Sequence, residues 1–260
     1  MSVLTMRLAG PLQSWAINSR HNIRTTLPYP SKSGIVGLLA AACGIPRDGT
    51  PSQTTDVTLA QLTALRLAVR VDQPGQLLVD YHTVSGASHA PTEPARQRLP
   101  TADDGSLQAK DSTKITRRHY RTDAIFTAYL EGDPDLLVKA AHALRRPRFP
   151  LFLGRRSCPP SKPLFLSFEH HSDLDHALRT TTWQAGAHEI ARHRARGHSS
   201  VLLDTVTEDP AGTDVLQDQP LASAPPFRHR YTERPIRHGH ITLPLSTDTP
   251  TAHDPFDLLG

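Results

Sequence analysis

The chain has 260 residues, 37% of them apolar and 21% charged, with a formal net charge of +4. That is enough apolar matter for one large domain or two small ones, and the balance is not that of a disordered polyelectrolyte. No apolar run approaches the roughly 18 residues of a membrane-spanning helix. The two cysteines, Cys43 and Cys158, stand in unrelated contexts, against a disulfide framework or a cysteine-based zinc site. "MSVLTMRLAG" has no signal-peptide pattern, so a cytoplasmic location is expected.

Val3 to Leu8 reads as a first strand, followed by an irregular polar stretch. "YPSKSGIVGLLAAACG" predicts a buried helix over Ser33 to Cys43. Ser31 or Ser33 would be its cap, Ile35, Leu38, Leu39 and Ala42 its core face, and Gly34 and Gly37 would let a sheet lie close. Residues 47–58 read as a loop. The second half of "LTALRLAVRVD" alternates as a strand does, and "QPG" turns it into a second strand, "QLLVDYH". Residues 83–121 then lack a sustained apolar period and carry three prolines and both charge signs. An insertion of this length inside a domain is often functional, and it is read as a protruding hairpin or arm. "TDAIFTAYLEG" is a third strand. "DPDLLVKAAHALRRP" is a helix with Asp133 as its cap, Pro134 in the first helical position, and Arg145 and Arg146 at its negative end. "PLFLG" and "PLFLSF" read as short strands around "RRSCPPSK". Beyond residue 170 the pattern weakens: "DLDHALRT" suggests a short helix, "AHEIARHRARG" and "SSVLLDTVTED" short strands, and "FRHRYTERPIRHGHITLPL" a basic tract ending in a strand.

The positive charge is segregated into acid-free tracts. One holds Arg7, Arg20, Arg24, Lys32 and Arg47; a second, Lys114, Arg117, Arg118 and Arg121; a third runs from Lys139 through Arg148, Arg155 and Arg156 to Lys162. Tracts of this kind suit a phosphate backbone. Lys32-Ser33 precedes Gly34 with no upstream glycine in register, so the order is wrong for a nucleoside-triphosphate loop, and G-x-G-x-x-G is absent. The 15 histidines show no zinc-protease spacing, and neither metal nor cofactor is expected. "KITRRHY" offers Lys114, His119 and Tyr120, which could serve metal-independent RNA cleavage or an RNA clamp equally. On a strand His119 and Tyr120 would point to opposite faces, which favours binding. In "LGRRSCPPSKPLF", Gly154, Arg155, Arg156 and Ser157 form a plausible phosphate cradle.

Five segments in this order resemble the CasD family of the type I-E CRISPR surveillance complex, Cascade: "LAGPLQSW", "YPSKSGIVGLLAAACGIPRD", "VDYHT", "ITRRHYRTDAIFTAYLEG" and "RPRFPLFLGRRSCPPSKPLF". The resemblance covers roughly residues 4–168. It implies an α+β chain with a ferredoxin-like (RRM-like) RNA-binding domain over 1–168, a β-hairpin thumb within 83–121, and a smaller, mainly β subdomain over 169–260. The split βαβ order of the elements agrees. It also implies a non-catalytic scaffold that grips the 5′ handle of crRNA and caps the backbone filament. The partners would be the Cascade backbone subunits, the large PAM-reading subunit and, indirectly, target DNA. A sister subtype's homologous subunit cuts precursor RNA, so metal-independent endoribonuclease is the alternative. By this guide, Arg20, Arg24 and Lys32 would meet handle phosphates. Arg117, Arg118, His119 and Tyr120 would line the thumb base, and Arg148, Phe149, Arg155, Arg156 and Ser157 would build a wall from the glycine loop. Aromatics are only 5%, so stacking on a sheet face is not expected.

Overall fold

The computed structural model describes residues 1–17, 22–46, 55–85, 113–170, 172–221 and 230–245. The first strand, β1 (Ser2–Ala9), is followed by two-residue strands β2 (Leu12–Gln13) and β3 (Ile23–Arg24), then helices α1 (Lys32–Cys43) and α2 (Leu59–Ala64). Next come β4 (Arg66–Gln73), β5 (Gln76–Ser85), β6 (Thr113–Thr122), β7 (Ile125–Gly132), α3 (Pro134–Arg145) and β8 (Phe165–His170). The chain closes with α4 (Leu174–Thr180), α5 (Ala187–Ala195), β9 (Ser200–Glu208), β10 (Asp214–Pro220) and β11 (Tyr231–Pro244).

Seven strands form one antiparallel sheet in the order β10-β11-β9-β4-β7-β1-β8. Its β8-β1-β7-β4 part, crossed by α1 and α3, is the split βαβ plan of a ferredoxin-like fold. The expected boundary at residue 168 falls within β8, and the strands beyond it extend the same sheet through the β4–β9 pairing. Strand alternation divides the apolar residues between two faces. Leu4, Met6 and Leu8, with Leu67, Val69, Phe126 and Leu130, pack under α1 and α3. On the other face Val3, Ala68, Tyr129, Val201 and Leu243 pack under Leu174 and Leu178 of α4.

Helix ends follow the local chemistry. Ser31 caps α1 by accepting from the Gly34 N–H at 3.3 Å, and Asp133 caps α3 through the Leu136 N–H at 2.9 Å. Gly34 makes room for the Trp15 ring, 2.7 Å from where a Cβ would stand, rather than for a sheet, while Gly37 faces open space. Ile35, Leu38, Leu39 and Ala42 are buried as expected.

Three expectations of secondary structure fail. "AHEIARHRARG" contains the helix α5, whose Glu189 pairs with Arg192 and with His193 one turn on. "PLFLG" is not a strand: the Leu153 N–H donates to the Cys158 carbonyl at 2.7 Å, closing a tight loop in which Gly154 has φ +91°. The short helix α2 was not anticipated, although Thr58 and Gln61 form a complete capping box that "TLAQ" announces.

The excursion is a hairpin where it is described. β5 and β6 pair antiparallel without a break from Gln76↔Thr122 to Ser85↔Thr113; residues 86–112 lie outside the described residues. β2 and β3 add to the other edge of β6, making a second small sheet.

Candidate nucleic-acid interface

The glycine loop, 153–160, is welded to the root of this hairpin. The Ser14 N–H donates to the Leu153 carbonyl at 3.1 Å, and the Ser14 hydroxyl donates to the His119 carbonyl at 3.1 Å. A Cβ on Gly154 would stand 1.8 Å from the Ser14 carbonyl oxygen, so this contact requires glycine twice over, by space and by φ.

Arg155 is the keystone. Its guanidinium donates to the His119 carbonyl at 3.3 Å and to the Arg24 carbonyl at 3.0 Å, and lies 4.8 Å from the centre of the Tyr120 ring. A planar five-donor fork is suited to bridging β3, β6 and the loop in this way. Burial pushes the Tyr120 hydroxyl up. Its hydrogen bonds to Ser157 and Arg155, with the Arg155 charge, outweigh that and bring it below the ordinary phenol range.

The residues expected to bind RNA therefore sort by place. Arg24 on β3, Arg117 on β6, and Arg156 and Ser157 on the loop are exposed, and Arg118 and His119 are half-buried; by register Arg24 shares a face with Arg118, and Arg117 lies on the other face with Ile23. Tyr120 is a correction to its place among the RNA-binding residues of the thumb base: it is buried against the glycine loop and has no free ring face to offer a base. His119 and Tyr120 do lie on opposite faces of a strand. Arg148 and Phe149 are exposed but belong elsewhere, their N–H groups closing the C-terminal end of α1 on the Ala42 and Ala41 carbonyls. Arg20 and the side chain of Lys114 lie outside the described residues.

Lys32 is the clearest correction. Its ammonium is buried and donates to both oxygens of Glu208 at 2.8 and 2.9 Å and to Gln219 at 3.2 Å. The Lys32 N–H donates to Asp218 at 2.7 Å, and Asp218 also receives two bonds from Arg234 at 2.7 and 3.1 Å. The anion at the start of α1 is thus supplied by β9 and β10 of the chain itself, which satisfies the helix N-terminus without any ligand.

The other tract members are partly consumed too. Arg7 reaches Gln184, Lys139 pairs with Asp56, and Arg145 covers the Phe165 ring at 3.8 Å. Sequence reasoning missed Ser14, which ties loop to hairpin, and Ile23, in a strand too short to leave a pattern. It also passed over Tyr81, although Leu77, Val79 and Tyr81 alternate along β5 in a visible way. Among the described residues no group of three or more histidine, cysteine or carboxylate side chains is placed to hold a metal, and both cysteines are buried and free. No helix among them is long and apolar enough to cross a membrane.

A family model described as "CRISPR-associated protein (Cas_Cas5)" matches residues 3–242. The chain belongs to the CasD/Cas5 family. It is 35% identical over 188 residues to the CRISPR system Cascade subunit CasD of Escherichia coli (strain K12), covering 68% of this chain and 75% of that relative. A chain of a solved CRISPR RNA-guided surveillance complex superposes with a TM-score of 0.70 at 31% identity, covering 96% of this chain and 95% of that one. A crystal structure of a Cas protein superposes at 0.64 with 32% identity, covering 94% and 95%. For a member of this CasD/Cas5 family, the Arg155-centred junction of hairpin and loop is the strongest candidate site in the described chain.

Proposed function

We propose that this CasD/Cas5 protein is a non-catalytic scaffold subunit of a Cascade-type complex, holding the 5′ handle of crRNA. It would sit at the end of the backbone filament, beside the large PAM-reading subunit, and so support guide-directed recognition of invading DNA in antiviral defence. The observation that carries the reading is that Arg24, Arg117 and Arg156, one from each basic tract, are exposed on the three elements that the half-buried fork of Arg155 ties together, β3, β6 and the glycine loop. Exposed guanidiniums on a rigid frame suit a bent phosphate backbone. Cleavage would need a base and an acid at one phosphate. His119 and Tyr120 stand back to back, and Tyr120 is buried, which argues against the endoribonuclease alternative.

The test uses full-length protein and a fluorescent repeat-containing RNA, with a scrambled RNA as control. Handle-dependent binding should weaken with salt, and Arg24→Ala with Arg156→Ala should lower the salt slope by about 1.4, at about 0.7 per phosphate contact on a single strand. Unchanged binding in the double variant, or defined cleavage that His119→Ala abolishes, sinks the scaffold reading.

A further inference from the structure

The hairpin has two unlike faces. On one, Tyr120 lies against the Arg155 loop, and Arg118 shares its face by alternation. The other, with Leu77, Val79 and Tyr81 on β5 and Arg117 on β6, is open. The register makes a row across three strands: Ile23 stands beside Arg117, and Arg117 opposite Tyr81. Neighbours in such a row have Cβ atoms about 5 Å apart. Ile23 is 53% and Tyr81 55% exposed, and Arg117 is exposed between them.

We infer that the Ile23–Arg117–Tyr81 row is a stacking platform for an unpaired nucleobase of single-stranded RNA. An aromatic ring, a guanidinium plane and a branched aliphatic side by side are the surface on which a base stacks, with the charge serving the adjoining phosphate. The chemistry selects RNA over a protein segment. Along this face Val79 pairs with His119 and Thr83 with Ile115, so its described positions carry cations and no carboxylate. The one acid of the hairpin arms, Asp80, stands on the opposite face, beside His82. The row is anchored to the same frame, since Ile23 shares β3 with Arg24, whose carbonyl accepts from Arg155, and Arg117 supplies the cation on the face of the row itself. The platform rests on the functional reading above and adds base contact to phosphate contact. It departs from the expectation that no sheet face stacks bases, on the ground that one well-placed tyrosine suffices whatever the aromatic content.

The experiment measures binding of fluorescein-labelled single-stranded repeat RNA, intact or with single abasic positions, to wild type, Tyr81→Phe and Tyr81→Ala. Tyr81 is on an open face, so thermal stability should match wild type in both variants, which is checked by circular dichroism. Tyr81→Ala should bind about tenfold more weakly with an unchanged salt slope, and Tyr81→Phe within about twofold of wild type. One abasic position should weaken wild type comparably and cost Tyr81→Ala nothing further. If Tyr81→Ala binds like wild type while Arg24→Ala with Arg156→Ala lowers the slope, the platform is wrong and the phosphate reading stands. If Tyr81→Ala spares RNA affinity but reduces incorporation into the assembled complex, the face is a protein interface and the platform is again wrong. If wild type shows no salt-dependent binding, the functional reading fails and the platform falls with it.

Discussion

Lys32 illustrates how far a single residue's meaning depends on its surroundings. Beside a capping serine at the start of a helix, it has the local features of an anion-binding group. The fold brings Glu208 to it from 176 positions away, burying Lys32 and leaving the Glu208 side chain 17% exposed. Burial lowers the Lys32 ammonium below the ordinary lysine range, opposed by its hydrogen bond and attraction to Glu208. Lys32→Met should therefore destabilise the protein by about 3 kcal/mol, because it leaves a largely buried carboxylate with a weakened set of partners. The RNA salt slope should stay the same, and a fall in that slope would restore Lys32 to the binding surface. Tyr120 makes the companion case. Its phenol is held below the ordinary value by Ser157 and Arg155 against the upward push of burial, so Arg155→Met should raise its ionisation midpoint. Phenolate absorbance during alkaline titration checks this; a midpoint that falls or does not move would mean that Arg155 does not hold the ring.

At the scale of elements, the loop 153–160 is set by backbone geometry more than by its charges. Gly154 at φ +91° lies against the Ser14 carbonyl, and Cys158 returns two backbone bonds to Leu153 and Arg155. Gly154→Ala should cost at least about 2 kcal/mol, combining left-handed backbone with a direct clash. Because the loop carries Arg155 and Arg156, RNA affinity should fall as well. A thermal midpoint within a degree of wild type would show that the loop opens freely and does not frame the site. The hairpin is built on the opposite logic: its arms are specified by a ten-residue antiparallel register, and alternation gives each side chain to one of two faces. Helices α1 and α3 were legible because their caps are local sequence events, whereas α5 rests on exposed pairs one turn apart and buries none of its residues.

For the whole molecule, the question is whether the strands after residue 169 form a unit of their own. The sheet runs through from β8 to β10, the bonds of Lys32 to Glu208 and Asp218 fasten α1 to it, and Arg70 ties β4 to the other layer. Arg70 is fully buried, bonded to Asp72 and to the carbonyls of Leu178, Thr181 and Thr182, where it also closes the C-terminal end of α4. The chain's two tryptophans report separately on the two faces: Trp15 lies in the core under α1, while Trp183 packs on the α4 side and donates to the Asp72 carbonyl at 2.8 Å. In Trp15→Phe and Trp183→Phe, the remaining tryptophan's fluorescence and the far-ultraviolet circular dichroism should unfold at one midpoint in each variant. An earlier Trp183 transition in Trp15→Phe would show that the residues beyond 169 unfold as a unit of their own.

The sequence by itself determined the βαββαβ order, the two capped helices, the presence of a hairpin between β4 and β7, the segregation of basic charge, and the family. Each of these is written in spacing, capping chemistry or motif order, which neighbours along the chain decide. Only the tertiary structure decided which cations remain available. Lys32 looked like a phosphate-facing group and is consumed by a partner more than a hundred residues away, while Arg24, Arg117 and Arg156, one from each tract, stay exposed. It also decided that Tyr120 is covered and Tyr81 open. The reason is physical: an ion pair, a buried ring or a row across strands depends on distance in space, and strand pairing sets that distance without leaving a mark in local composition.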